Sequence, residues 1–144
     1  MRIIVQRVKE ASVCVNSKIV GNIEQGMLVL VGFTEGDTKE KIDYCVNKLI
    51  NLRIFDDDSG IMNKSVIDID GKILSISQFT LYADTTKGNR PSYVNAMKSD
   101  EAIKLYKVFN EELKKQVPVE EGIFGAEMEV SLINDGPVTI VLER

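Results

Sequence analysis

Gly26-Met27-Leu28-Val29-Leu30-Val31-Gly32-Phe33 is apolar at nearly every position, the composition of a strand covered on both faces rather than one. It reads as the central strand of a sheet. Upstream, residues 3–8, 12–15 and 19–23 are short β-branched runs separated by polar turns, the last two by Asn16-Ser17-Lys18, which predicts an antiparallel meander. Downstream, Asp37-Thr38-Lys39-Glu40 has the form of a capping box, with an N-cap acceptor and a glutamate three residues on. Ile42, Cys45, Val46, Leu49 and Ile50 follow at helical spacing, so a first helix runs to about Leu52.

Farther out, Arg53-Ile54-Phe55 is a short extended piece, followed by Asp56-Asp57-Asp58-Ser59-Gly60. That acidic run fails the spacing of a calcium loop, which needs oxygen ligands at alternating positions, glycine at the sixth and glutamate at the twelfth, and it reads as a surface turn. Asp70-Gly71 signals a turn into Lys72-Ile73-Leu74-Ser75-Ile76-Ser77-Gln78-Phe79-Thr80-Leu81-Tyr82. If this strand is regular, Gln78 and Thr80 share one face and Ser77 and Phe79 the other. The polar stretch 84–92 is a long loop, the kind that carries binding elements in compact domains.

A second helix starts near Ser99, aligns Ala102, Tyr106, Phe109 and Leu113 on one stripe, and must end before Pro118. After the Gly122-Ile123-Phe124-Gly125 bend, Met128, Val130 and Leu132 alternate with polar residues. Val138, Ile140 and Leu142 resume the period of two beyond Gly136-Pro137. Grouped strands with two long helices define an α+β domain, a mainly antiparallel β-sheet or barrel with the helices packed against it, spanning 1–144 as one unit.

Composition narrows the chemistry. The 144 residues suffice to bury roughly two-thirds of the unfolded surface around one core. No apolar span is long enough for a membrane helix and no signal peptide opens the chain, so the expected location is cytoplasmic. Cys14 and Cys45 form no disulfide or metal-binding pattern and read as small core residues. The absence of histidine removes Ser-His-Asp and Cys-His systems and the usual neutral-pH base. A net charge of −4 argues against tight non-specific binding along a nucleic acid, although Lys87, Arg90 and Lys98 gather in or beside the long loop.

Two stretches pair hydroxyl, amide and backbone groups with strand-like surroundings: Ser77-Gln78-Phe79-Thr80-Leu81 and Asn134-Asp135-Gly136-Pro137-Val138-Thr139. Read alone, the first is an ordinary strand with a satisfied polar edge, and the second a tight hairpin turn, since Asp-Gly favours turns. Read together, they are halves of one site, because a Gly-Pro step inside strand sequence removes a ladder donor and demands a local reason. Phe79 fits either a core aromatic or a pocket wall. Lys87 and Arg90 fit either a solvated loop or contacts to phosphates, and Arg7 fits a role fixing the Gly-Pro segment or another carbonyl.

The whole chain resembles the D-aminoacyl-tRNA deacylases, also called D-tyrosyl-tRNA deacylases. The resemblance rests on five groups of residues in order: Val5-Gln6-Arg7-Val8 with Ala11-Ser12-Val13; Asn51-Leu52-Arg53-Ile54-Phe55; Ser77-Gln78-Phe79-Thr80-Leu81-Tyr82-Ala83-Asp84; Lys87-Gly88 with Arg90-Pro91-Ser92; and Gly122-Ile123-Phe124-Gly125-Ala126 before Asn134-Asp135-Gly136-Pro137-Val138-Thr139. Cys14, where a hydroxyl residue is common, and Asn89 before Arg90 depart from the pattern outside the two main motifs. The resemblance implies that family's fold and a cytoplasmic homodimer acting on the 3′ end of aminoacyl-tRNA, without cofactor, metal or membrane. It further implies a carboxylic ester hydrolase that frees D-amino acids, and glycine from glycyl-tRNA(Ala), as proofreading in translation. By the same resemblance Ser77, Gln78, Phe79 and Thr80 form the catalytic stretch, while Gly136 and Pro137, joined by a cis bond, enter from the partner subunit and reject L-aminoacyl groups.

Without histidine, oriented N–H donors at Phe79 and Thr80, with Gln78 as a possible contributor, are the preferred oxyanion stabilisers. Thr80 as nucleophile would need a neighbouring base, so a positioning role is favoured. The family's substrate-assisted scheme, in which the 2′-hydroxyl of the terminal adenosine orients water, answers the same deficit. Two other readings remain open: a relaxed editor that clears small L-amino acids such as alanine, and a non-catalytic domain that binds RNA or a small ligand.

Overall fold

The computed structural model describes residues 1–144. Eight strands and two helices follow in the order β1 (Arg2–Val15), β2 (Lys18–Ile23), β3 (Gly26–Gly32), α1 (Lys39–Ile50), β4 (Phe55–Asp56), β5 (Met62–Lys64), β6 (Lys72–Ser77), α2 (Ser99–Lys114), β7 (Val119–Glu121) and β8 (Glu129–Glu143). The main sheet has the order β2-β1-β3-β6-β7, with β8 also paired to β1. Pairs involving β1 are antiparallel, whereas β3–β6 and β6–β7 are parallel. The architecture is therefore the expected α+β domain, with a mixed sheet curled toward a barrel. Gly21 of β2 permits the curl, since a Cβ there would lie 3.2 Å from both the Glu121 carbonyl oxygen of β7 and a methyl of Leu74 of β6.

The Gly26 run is the middle strand, and its alternation splits the core in two. Met27, Val29 and Val31 face a large cluster beneath the helices, while Leu28 joins a smaller one inside the curled end of the sheet. Both faces are thus buried, and each large side chain removed from water contributes about 1.5–3 kcal/mol. From α2 the forecast stripe, Ala102, Tyr106, Phe109 and Leu113, enters the larger cluster. Cys45 is in that cluster too, but Cys14 is only half-buried, beside a register shift between β1 and β2.

Four local expectations are corrected. Residues 3–8 and 12–15 are one continuous strand, β1, because Lys9 and Glu10 lie on its exposed surface while the chain runs on, pairing β3 first and β2 later. The helix N-cap is Thr38, not Asp37, and α1 ends at Ile50. Asp37 instead accepts from the buried amino group of Met1 and, at 2.9 Å, from the Thr34 N–H. The run through Tyr82 is not one strand: β6 stops at Ser77 and Phe79–Tyr82 turns into a one-turn 3-10 helix. Finally, the C-terminal alternation is a single strand through Gly136-Pro137, so the hairpin reading fails. The strand β7, absent from the sequence reading, is too short for a clear period of two.

Candidate functional site

β6 carries Ser77 opposite Val31 of β3, and the Gln78 N–H donates to the Val31 carbonyl at 2.8 Å. There the ladder ends. Gln78 adopts φ −144° and ψ 85°, and the turn Phe79–Tyr82 begins with it as N-cap. Within the turn the Leu81 N–H returns to the Gln78 carbonyl at 3.3 Å. The amides of Phe79 and Thr80, as the first of a helix, have no acceptor inside it. Arg2 secures the far end, donating to the Leu81 carbonyl and to Glu143 while its guanidinium lies 5.0 Å from the centroid of the Tyr82 ring.

This departure from the sheet opens a cavity of about 670 Å³, within the usual size of small-molecule sites. Ser77, Gln78 and Phe79 line it together with the end of β3, the start of α2 and the segment from Phe124 to Met128. Twelve of its seventeen lining residues are hydrophobic, and the only ionisable one is Tyr93. Tyr93 meets Phe79 edge-to-face with centroids 5.1 Å apart, and both rings are well exposed. Nothing in the residues marked Tyr93 or Met97 for the cavity, since they reach it only after the long loop has turned back.

Thr80 does not line this cavity. Its hydroxyl oxygen accepts from the Gln78 Nε2 at 2.5 Å, so the amide sets the orientation of the hydroxyl but cannot remove its proton. Because the strand is interrupted, the expected sharing of one face by Gln78 and Thr80 is replaced by direct contact between them. Neighbouring tyrosines supply no base either. Burial, reinforced by the charge of Asp37, pushes the Tyr82 phenol up to about 12. Burial also raises Tyr106, whose hydroxyl donates to the Ser75 carbonyl at 2.8 Å.

Gly136 and Pro137 do not join the cavity of their own chain. Between the pairs Gln6–Thr139 and Val8–Asn134, Arg7 of β1 faces residues 135–138 of β8, so the strand bulges outward there. The Gly136–Pro137 bond is cis, and both residues are exposed. Arg7 is the peg beneath the bulge. Its Nε donates to the Asp135 carbonyl at 3.1 Å and lies 3.2 Å from the Asp135 carboxylate, and its Nη1 donates to the Ile54 carbonyl at 2.7 Å and to Asp56 at 3.3 Å. Its side chain is only 8% exposed, so the expected alternatives for Arg7 are both realised: one guanidinium fixes the Gly-Pro segment and another carbonyl.

The loop 84–92 is closed by reciprocal bonds between Asp84 and Ser92, with Lys87 and Arg90 exposed on it. Asp57, first seen within the acidic run, accepts from the Ser59 and Ile61 amides and shapes the β4–β5 turn, and no group of three or more His, Cys, Asp or Glu side chains converges as a metal site. No helix is long and apolar enough to cross a membrane.

A model of the family described as D-Tyr-tRNA(Tyr) deacylase matches residues 4–143. Among solved structures, one described as c-Myc DNA Unwinding Element Binding Protein is 42% identical, with a TM-score of 0.95 over 100% of this chain and 99% of its own. Another, described as a probable eukaryotic D-amino acid tRNA deacylase, is 19% identical with a TM-score of 0.83, over 98% and 97% of the two chains, and shares the fold.

Proposed function

The chain belongs to the D-Tyr-tRNA(Tyr) deacylase family and is a hydrolase of the aminoacyl-tRNA ester, and from that premise we propose a division of labour between two protomers. The cavity beside Ser77, Gln78 and Phe79 receives the aminoacylated 3′ end, and Gly136-Pro137 of a second copy closes it. The observation that carries this reading is the mismatch within one chain: the cavity contains three of the four catalytic candidates, yet the exposed Gly-Pro bulge is not part of its wall.

Water adds to the ester carbonyl carbon, and the oxyanion is held by the amide of Phe79, the residue of the turn that lines the cavity. Collapse then breaks the bond to the ribose oxygen, which leaves as a hydroxyl while the amino acid departs as carboxylate. One well-placed oxyanion donor lowers such a barrier by about 3 kcal/mol. With no carboxylate, lysine or cysteine in the cavity wall, the water is oriented by the 2′-hydroxyl of the terminal adenosine. Thr80, held by Gln78, positions rather than attacks. The Gly-Pro backbone occupies the volume an L side chain would need, so D-aminoacyl and glycyl esters are accepted.

A substrate panel tests this directly: D-tyrosyl, L-tyrosyl, glycyl and L-alanyl esters on transfer RNA. Release of D-tyrosine and glycine with slow release of both L-amino acids is expected. Rapid L-alanine release would replace the chiral filter with the relaxed editor, and isolated protomers that reject L-esters undiminished would end the two-protomer arrangement. The name of the 42% identical relative favours a second reading, nucleic-acid binding without catalysis. No release above the uncatalysed rate from any ester would establish it.

A further inference from the structure

Resting on that deacylase reading, we propose that the loop from Asp84 to Ser92 is an arm that grips RNA phosphates upstream of the terminal nucleoside, with Lys87 and Arg90 as its contacts. The arm is built at its neck. The Asp84 N–H donates to the Ser92 carbonyl at 2.7 Å and the Ser92 N–H donates to the Asp84 carbonyl at 2.9 Å. Asp84 is the only carboxylate between its ends, and it accepts from the Thr86 N–H at 2.9 Å and the Thr86 hydroxyl at 2.7 Å. Those bonds direct the one local anion to the neck. Lys87 and Arg90 enter none of the molecule's ion pairs, nor does Lys98 at the foot of α2.

The placement selects the partner. The loop leaves from the turn that carries Phe79 and returns through Tyr93, so both of its stems stand at the mouth of the cavity. Beyond the neck, residues 86–90 form a run of bends on which Lys87 and Arg90 are exposed to solvent. Two unpaired cations there run against the overall charge of −4. A polyanion whose end is already in the cavity is the ligand this charge arrangement fits. Contacts to phosphates fix register and carry no sequence information, so the arm holds many transfer RNAs alike.

The test compares wild type with a Lys87→Ala/Arg90→Ala double variant on D-tyrosyl-tRNA and on 3′-O-D-tyrosyl-adenosine, which has no phosphate. Two lost phosphate contacts lower the slope of log kcat/KM against log salt by about 1.4 to 1.8. Raising KCl from 50 to 200 mM then costs wild type about tenfold more than the variant on the RNA substrate. On the adenosine ester the two proteins hydrolyse alike, and the Lys87→Arg/Arg90→Lys exchange restores the salt slope. An unchanged slope, or equal losses on both esters, overturns the arm. If wild type cleaves neither ester, the deacylase reading fails on its own. Fluorescence anisotropy with uncharged transfer RNA still decides the arm, because equal affinities of wild type and variant across the salt range refute it.

Discussion

Two interruptions of β-structure behave in opposite ways. After Ser77 the chain leaves the sheet, and the resulting turn helps wall a cavity. At residues 135–138 the strand stays in the sheet but bulges outward over Arg7, leaving Gly136 and Pro137 exposed. The turn is anchored at its far end by the half-exposed Arg2, whereas a nearly buried guanidinium anchors the bulge. On the proposed reading the concave feature receives and the convex one is inserted, and the more deeply buried anchor lies under the part that protrudes.

The sharpest challenge to this contrast is Arg7→Ala. It strands the Ile54 and Asp135 carbonyls and leaves two carboxylates without their cation, which should cost about 3 kcal/mol in denaturant unfolding. The expected companion is a lower D-to-L ratio of ester hydrolysis, with D-tyrosyl turnover the less affected. A full stability loss with unchanged selectivity would mean that the bulge does not judge chirality.

Next in size is Gly136→Ala. Gly136 has φ +121°, and its Cβ would lie 3.0 Å from both the Arg7 Nη2 and a methyl of Val138. The strained backbone should cost about 1–3 kcal/mol, again read by denaturant unfolding, with selectivity impaired. A stability equal to wild type would show that the bulge bends easily and dissolve the contrast.

On the turn, Thr80→Ala should leave kcat within about tenfold of wild type, while loss of a true nucleophile costs on the order of 10⁴–10⁶. Single-turnover measurements separate chemistry from binding. A collapse of the chemical step with binding intact would make the turn itself the source of the nucleophile.

The smallest effect concerns pH. Tyr82 holds its proton up to about 12 in the folded chain, above its ordinary value of 10. Its stabilising contribution is whole below pH 10 and is lost as pH rises toward 12. Melting temperatures across that interval should fall less steeply for Tyr82→Phe, and identical slopes would remove Tyr82 from the turn's support.

What could be read in the residues follows the range of the forces that place them. The Gly26 run and the α2 stripe announce themselves because burial repeats at a local period, and both took the expected positions. The stretch from Lys72 to Tyr82 misled because it is strand-like throughout. Its break at Gln78 is matched by contacts with residues far away, such as the bond from Arg2 to Leu81, 79 positions along the chain. Asp135-Gly136, a turn signal when read alone, forms no hairpin because Arg7, 128 positions away, holds the segment in a paired strand. Gly136 and Pro137 were legible as unusual and Arg7 as a residue to fix them, but the bulge that joins them was not.

One consequence lies in how the fold is reached. β1 pairs with β8 from Arg2 opposite Glu143 onward, joining residues 141 positions apart. Such distant closure is entropically slow, so the fold should form more slowly than a helical bundle built from local contacts. During synthesis β1 emerges before β8 and stays without its longest neighbour until β8 has cleared the ribosome. The newborn chain therefore carries an open edge until β8 arrives, a window in which chaperones have something to guard.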